Sequence, residues 1–293
     1  MRYVVMVCLA GLTLCPSLAS ARDIFVDNLN GDDRRAGTSS DVHGVDGGPC
    51  RTIAKALRIA RKSDRIVLAN TGAPYRESIS IQGANHSGDE VSAFQIVGNG
   101  ATLDGTISLA AADWEFLHTD IFRVRPPLMS FQQLFLADQP APRRQPPPGQ
   151  LPKLAAGEWC LWEGWIYFRT QDGRLPQTYS PSCCGLTVGI TLYDVTDVMV
   201  SDLVLRGFQL DGINAHDTVR RTDLVGLNAH HNGRSGISVG GASRVRIDTC
   251  AAAGNGVAQI RTEGFCIVQT IDNQLDATSA PAIVSEGGKI VAE

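Results

Sequence analysis

The sequence predicts an all-β protein whose short strands wind into a parallel solenoid, and three features carry this prediction. First, an isoleucine recurs every 23 or 24 residues, at Ile190, Ile213, Ile237, Ile260 and Ile283. Second, other apolar positions step in the same register, for example Val200, Leu224 and Ile247. Third, apolar residues alternate with period two in runs such as "ITLY" and "VMVSDL", which Gly- and Asn-rich corners separate. A coil of about 23 residues built this way buries its inward face only when neighbouring coils stack on it.

Residues 1–21 have the order of a secretory signal. A single Arg2 precedes an apolar run from Tyr3 to Leu14, and Ala19-Ser20-Ala21 matches an A-x-A cleavage site. We expect cleavage near Ala21 and a secreted, periplasmic or cell-surface protein. No later segment approaches the ~20 apolar residues of a membrane span. Without residues 1–21 the chain has 25 basic and 30 acidic side chains, a formal charge of −5, which argues against nucleic acid as the main partner.

Residues 22–125 are expected to form an N-terminal strand, a capping helix and less regular early coils that run to Leu109. The helix has one apolar stripe, formed by Ile53, Ala56, Leu57 and Ala60, and its other faces are mostly basic. We interpret the basic faces as solvated rather than as a polyanion site. The order "DIFVDNLNGDD", "GGPCRTIAKALRIA" and "YRESISI" resembles the opening of pectin-lyase-like secreted bacterial proteins. That resemblance implies a right-handed parallel β-helix, with the short helix over its open end.

Residues 126–185 interrupt the repeat with a Pro-rich and aromatic insertion. The run "QPPPGQLP" cannot enter a ladder as a central strand, and "GEWCLWEGWIYFRT" is typical of a hairpin. Its aromatic side chains could stack on sugar rings, but we expect them to pack the insertion against its host. They are Trp159, Trp162, Trp165 and Tyr167.

Six cysteines remain after the predicted cleavage, and export permits disulfides among them. They are Cys50, Cys160, Cys183, Cys184, Cys250 and Cys266. Their spacing matches no zinc or redox motif. The adjacent Cys183 and Cys184 are each expected to pair with another cysteine.

Residues 186–293 are expected to hold the regular coils, of which the last is incomplete. A fifth coil begins at Ile283, and the sequence ends at Glu293 before that coil closes. An uncapped solenoid exposes apolar side chains and unpaired strand edges. We therefore expect either self-association through the last rung or a shortened version of a longer protein.

Strand alternation places two columns of side chains outside the coils, next to the inward isoleucines. The first column contains Thr191, Asn214, Ser238, Arg261 and Val284. The second column contains Tyr193, His216, Gly240, Glu263 and Glu286. Rungs lie ~4.8 Å apart, so neighbours in a column can interact. The sequence therefore predicts a polysaccharide-binding groove, with Thr191, Tyr193, Asn214 and Glu286 among its substrate contacts.

Two chemistries suit this predicted groove. In β-elimination or epimerisation of a uronate, His216 would be the base and Arg261 would stabilise the developing charge, with Glu263 also catalytic. Ca²⁺ could assist, bound by Glu263 and Glu286 or by Asp211 and Asp217. Lyases of the resembled family typically use Lys or Arg as the base, but the repeats contain no Lys before Lys289. In glycoside hydrolysis, Glu263 and Glu286 would act as the carboxyl pair.

A non-catalytic solenoid that binds glycans or serves as cell-surface structure remains the alternative. His216 alone on a strand is more often a solvated side chain than a catalyst, and a ladder of outward glutamates also suits a soluble surface. One scaffold carries many functions, so the resemblance cannot choose between the two classes.

Overall fold

The computed structural model describes residues 21–44 and 46–292, so the predicted signal segment lies outside the described residues except for Ala21. Short 3₁₀ helices cover Ala84–His86, Ala111–Asp113 and Pro176–Tyr179. The other elements, in chain order, are β1 (Asp23–Val26), α1 (Ile53–Ile59), β2 (Arg65–Leu68), β3 (Ile79–Gln82), β4 (Phe94–Asp104), β5 (Thr106–Ser108), β6 (Trp114–His118), β7 (Ile121–Val124), β8 (Leu134–Leu136), β9 (Gln139–Pro140), β10 (Trp159–Trp162), β11 (Trp165–Arg169), β12 (Pro181–Cys184), β13 (Ile190–Tyr193), β14 (Thr196–Arg206), β15 (Asp211–His216), β16 (Arg220–Val225), β17 (Asn228–His230), β18 (Ser235–Val239), β19 (Arg244–Asp248), β20 (Ala251–Ala253), β21 (Ala258–Ile271), β22 (Gln274–Leu275) and β23 (Ile283–Ala292).

Fifteen strands form one parallel sheet that curls around a shared core. Three strips of stacked strands make up this sheet. The groove strip contains β3, β13, β15, β18 and the first halves of β21 and β23. The second strip contains β1, β2, β16, β19, the first halves of β4 and β14, and the second halves of β21 and β23. The third strip contains β17, β20, β22 and the ends of β4 and β14.

The repeated isoleucines stack in the groove strip as the sequence predicts. Ile213 pairs with Ile190 on one side and with Ile237 on the other, and Ile260 continues the ladder to Ile283. The first four of these side chains are buried in the central hydrophobic cluster. Full burial of such a side chain stabilises the fold by about 1.5–3 kcal/mol. The stacked column is therefore both the register signal and a main source of stability.

Helix α1 packs its predicted apolar stripe against the parallel core. Ile53, Ala56 and Leu57 are buried there, and the helix contacts β1, β2 and β3. The Thr52 side chain caps the helix by accepting from the Lys55 backbone N–H at 3.0 Å. The basic Arg58 in the last turn remains exposed. Within the described part of the chain, no helix is long and apolar enough to cross a membrane.

The insertion consists of two antiparallel four-stranded sheets, ordered β10-β11-β7-β6 and β5-β12-β8-β9. The predicted hairpin is confirmed, because β10 pairs antiparallel with β11. Antiparallel pairing begins at Thr106, ahead of the predicted boundary at residue 126. The assignment of Thr106–Ser108 to an early coil is wrong, because this strand pairs antiparallel with β12. Short alternating runs look alike in both kinds of sheet, so the sequence could not distinguish them.

The six cysteines of the described chain are free thiols, and all are buried. The expectation that Cys183 and Cys184 pair elsewhere is therefore wrong. Both lie in β12, where burial raises the pKa of Cys183 to about 12. Free cysteine packs as a small apolar side chain, and a thiol this hard to ionise is inert.

Candidate functional site

The two predicted side-chain columns lie on the outer face of the groove strip, and backbone pairing sets their order. Thr191 pairs with Asn214, Asn214 with Ser238, and Ser238 with Arg261. In the second column, Tyr193 pairs with His216 and Glu263 pairs with Glu286. Ser238 departs from the prediction because it is only 1% exposed. Its short side chain lies between longer neighbours in the column.

Tyr193, His216 and Asp217 form the first cluster on this face. The rings of Tyr193 and His216 lie 5.1 Å apart between centroids and are tilted by 57°. The neighbouring Asp217 carboxylate raises the pKa of the Tyr193 phenol. Tyr193 is 42% exposed and His216 is partly exposed, so both can be reached from solvent. The cluster thus combines a protonated phenol with an imidazole, which are candidate acid and base groups.

The corner after each strand explains how Asp217 reaches Tyr193. Asp217 follows the last residue of β15 and has a φ of 69°, in the left-handed region where Asp is among the better tolerated residues. Asp194 occupies the equivalent corner after β13, with a φ of 48°. The Thr218 hydroxyl donates to Asp194 at 3.0 Å and links the two corners. These turns place the Asp217 carboxylate beside the groove.

Arg261, Glu263 and Glu286 form the second cluster. Arg261 Nη2 donates to a Glu263 oxygen at 2.7 Å and also to Glu286. Burial lowers the pKa of Arg261, but hydrogen bonds to the two glutamates outweigh burial, and its pKa is raised overall. Arg261 Nη1 and Ser238 Oγ are buried and have no hydrogen-bond partner in the structure. The centre of the face therefore holds polar atoms whose hydrogen-bonding capacity is unused.

The structure does not bring His216 into one site with Arg261 and Glu263. The rung of β18 separates β15 from β21, so two rung spacings, about 10 Å, lie between them. Arg261 Nη2 is held instead by Glu263 and by Glu286, which lies one rung further from His216. Of the predicted substrate contacts, Thr191, Tyr193 and Asn214 lie with His216, whereas Glu286 belongs to the second cluster.

Two of the predicted Ca²⁺ ligands lie at opposite ends of one strand. Asp211 begins β15 and Asp217 follows its end, about 20 Å away in extended chain. Asp211 is fully buried and accepts from Arg234 Nε at 3.0 Å and from Asn214 Nδ2 at 3.2 Å. The described residues contain no group of three or more acidic, His or Cys side chains that could hold a metal ion. This donor set does not fit Ca²⁺, because an ion pair already uses the Asp211 carboxylate.

The groove extends beyond the predicted columns toward helix α1. Ser80 and Gln82 of β3 pair with Thr191 and Tyr193 and continue both columns by one rung. A hollow of ≈ 390 Å³ adjoins Tyr193, and a second of ≈ 470 Å³ is lined partly by Arg58. Periodicity could not find these residues because the insertion separates β3 from β13 in sequence. In the sequence, the only indication of this part of the groove was that the basic helix α1 is followed by the strand-like run around Ile79–Gln82.

The aromatic side chains of the insertion mainly pack inside it. Trp159 is fully buried and Tyr167 is nearly so. Trp162 and Trp165 are partly buried against the second small core of the insertion, and the Arg123 guanidinium lies 4.2 Å from the Trp165 ring centroid. The expectation of structural packing agrees with these positions.

No family model and no curated protein matches this sequence. Among solved structures, a glycoside hydrolase aligns with a TM-score of 0.55 at 10% identity, over 86% of this chain and 74% of that chain. The GH136 lacto-N-biosidase from Eubacterium ramulus aligns with a TM-score of 0.46 at 12% identity, over 86% of this chain and 41% of that chain. Pectate lyase Pel9A aligns with a TM-score of 0.33 at 11% identity, over 94% and 79% of the respective chains. With the curled parallel sheet, the first likeness indicates a β-helix fold.

Proposed function

We propose that this protein processes a uronate-containing polysaccharide by proton abstraction at the Tyr193–His216–Asp217 cluster. The observation that carries the proposal is a partly exposed imidazole next to an exposed phenol on the outer face of the groove strip. The fold likeness to a glycoside hydrolase supports a polysaccharide as the substrate class. An extended chain laid along the strip would cross successive rungs and contact both clusters.

In the proposed elimination, the His216 imidazole takes the proton from C5 of the uronate. A C4–C5 double bond forms, the C4–O4 bond breaks, and the Tyr193 hydroxyl gives its proton to the leaving O4. In epimerisation, a proton returns to the opposite face of C5 and no C–O bond breaks. The raised pKa of Tyr193 keeps its phenol protonated, so a proton is available for the leaving oxygen, and imidazole is the usual base near neutral pH.

The developing negative charge on the uronate carboxylate needs hydrogen-bond donors. Asn214 and Thr191 lie in the outward column next to Tyr193 and His216, which places an amide and a hydroxyl within the same two rungs. Arg58 supplies an exposed cation at the α1 end of the groove. We propose these groups, rather than Arg261 or Ca²⁺, for recognition of the reacting unit.

Hydrolysis by Glu263 and Glu286 is less well supported. Glycoside hydrolysis requires one carboxyl of the pair to donate a proton to the leaving oxygen. In the structure both carboxylates accept from the same Arg261 nitrogen. This ion-paired cluster suits a binding subsite, so non-catalytic glycan binding is the second candidate function.

We further propose that the chain is exported after loss of residues 1–21 and that its coils wind with a right hand. Crossovers between parallel strands of one sheet are right-handed in about 98% of cases. N-terminal sequencing of the mature protein would test the cleavage. A mature chain that retains residues 1–21 would contradict it.

The test of activity uses a panel of polyuronates and neutral polysaccharides. Ultraviolet absorbance reports the unsaturated product, and NMR in D₂O reports exchange at C5. We expect turnover of a polyuronate that His216→Ala and Tyr193→Phe each lower by about 10²- to 10⁴-fold. His118→Ala changes an exposed histidine of the insertion and is the matched control. Glycan binding without turnover, retained in His216→Ala, would overturn the catalytic proposal in favour of the second candidate.

A further inference from the structure

A cleft of ≈ 640 Å³ lies between the insertion and the corners that follow the third strip. Gln133, Arg143 and Gln145 line it from the insertion. The corner around Gly254–Gly256 and the segment from Asp276 to Ser279 line the opposite wall. Its volume falls within the usual range of small-molecule sites, and its lining is rich in hydrogen-bonding groups.

Arg143 is the charged group of this cleft that lacks a counter-ion. Its guanidinium lies 5.2 Å from the Trp159 ring centroid, and its Nε is buried without a hydrogen-bond partner. Among the described residues, no carboxylate forms an ion pair with it. Burial lowers the pKa of Arg143, and only the thiols of Cys160 and Cys184 oppose that effect.

The acidic residue in the lining of the cleft, Asp276, is engaged in its own turn. The Asp276 carboxylate accepts from the Thr278 backbone N–H at 2.9 Å, and this hydrogen bond lowers the pKa of Asp276. The other arginine of the segment, Arg144, pairs with Glu158 at 2.8 Å. Two adjacent arginines thus differ: one is neutralised at the surface, and one is held over an indole beside an open cleft.

The Gly256 corner packs close to the Arg143 head group. A Cβ at Gly256 would lie 3.5 Å from Arg143 Nη1 and 2.2 Å from the Gly233 carbonyl oxygen. The backbone therefore approaches the guanidinium at a position where a side chain could not fit. Gln145 and Ser279, which also line the cleft, are exposed.

We propose that this cleft binds the carboxylate of a uronate unit, with Arg143 as its bidentate partner. Arg143 is partly buried, with its Nε fully shielded and no counter-ion, which is costly for a cation; a planar guanidinium matches a carboxylate in shape and charge. The Gln145 amide and the Ser279 hydroxyl are placed to contact the sugar hydroxyls. The saccharide part of this inference rests on the proposed function, whereas the need for an anion rests on Arg143 alone.

Calorimetric titration of a di-uronate into the purified protein tests the inference. We expect Arg143→Gln to weaken binding at least tenfold and Arg143→Lys to weaken it less, because Lys keeps the charge but loses the fork. Arg144→Gln should bind as the wild type does, which makes it the matched control. The same disaccharide with its carboxylates reduced should bind weakly to all four proteins.

Three results would overturn the proposal: equal di-uronate affinity in wild type and Arg143→Gln, equal loss in Arg144→Gln, or a preference for a sulfated disaccharide. Urea unfolding of Arg143→Gln shows whether that variant is folded. If Arg143→Gln is unfolded, the test rests on Arg143→Lys. The bidentate contact is rejected if Arg143→Lys binds the di-uronate as tightly as the wild type and does not prefer it over the disaccharide with reduced carboxylates. Turnover of polyuronate is scored separately. Arg143-dependent binding without any turnover rejects the proposed function and leaves the cleft assignment standing.

Discussion

Variants of the ion pair between Asp211 and Arg234 test whether Asp211 stabilises the fold or binds a metal ion. The Asp211 side chain is 0% exposed and the Arg234 side chain is 19% exposed. Replacing Arg234 by Gln leaves a buried carboxylate with only the Asn214 amide and no cation. Loss of one partner of a buried pair costs about 3–5 kcal/mol. We expect Arg234→Gln to lower the free energy of unfolding by about 3 kcal/mol, because Asn214 still donates to Asp211.

The reverse change should cost less. Asp211→Asn leaves Arg234 with access to water, so we expect a loss of about 1–2 kcal/mol. The double variant should lose less than the two single losses added together, because neither charge is then stranded. Urea unfolding monitored by circular dichroism measures all four proteins, with and without Ca²⁺.

The two single variants should differ in how much free energy of unfolding they lose, with the larger loss in Arg234→Gln. A larger loss in Asp211→Asn than in Arg234→Gln would refute the assignment of Arg234 as the solvent-reachable partner. A Ca²⁺-dependent rise in wild-type stability that Asp211→Asn removes would show that Asp211 is a metal ligand after all. This second result would also remove the reason for excluding Ca²⁺ from the groove.

Further predictions concern the corners of the solenoid. Burial lowers the pKa of His230 to about 4, below its value in the unfolded chain. The free energy of unfolding should therefore fall by up to about 3 kcal/mol as pH drops from 6.5 to 4. His230→Gln should reduce that loss, which urea unfolding across this pH range measures. Asn255 is fully buried and accepts a hydrogen bond from the Asn232 backbone N–H at 2.9 Å. Asn255→Ala should therefore lower the free energy of unfolding by about 1–3 kcal/mol. An unchanged midpoint of urea unfolding would contradict this role. Gly241 has a φ of 63°, and a Cβ there would lie 2.5 Å from the Asp217 carbonyl oxygen. Gly241→Ala should therefore lower both the melting temperature and the activity of the adjacent cluster of Tyr193, His216 and Asp217. A melting temperature equal to that of the wild type would contradict this expectation.

Local repetition made part of the groove predictable. Ile190, Ile213 and Ile237 share one register because each coil repeats its length, and a strand exposes alternate residues. The contact between Tyr193 and His216 follows directly, since they are one coil apart and on the same side of their strands.

Other parts of the site could not be read from spacing. Asp217 was a candidate metal ligand in the sequence, but its left-handed corner turns it toward Tyr193. Asp211 is buried in an ion pair with Arg234, a partner that the repeat spacing did not indicate. Side-chain direction at a corner depends on backbone angles that neighbouring coils impose, and a repeat length does not encode them.

The sequence by itself determined the stacking of strands in the regular coils, because a periodic apolar column can be buried only when like positions lie over one another. The tertiary structure alone decided how the ends of the groove and the cleft are built. Ile79 and Ile190 pair although 111 residues separate them in sequence, and the insertion between them brings Arg143 against the corner at Gly256. The physical reason is that such contacts join segments with no common period. Their positions follow from packing the insertion against the finished coils.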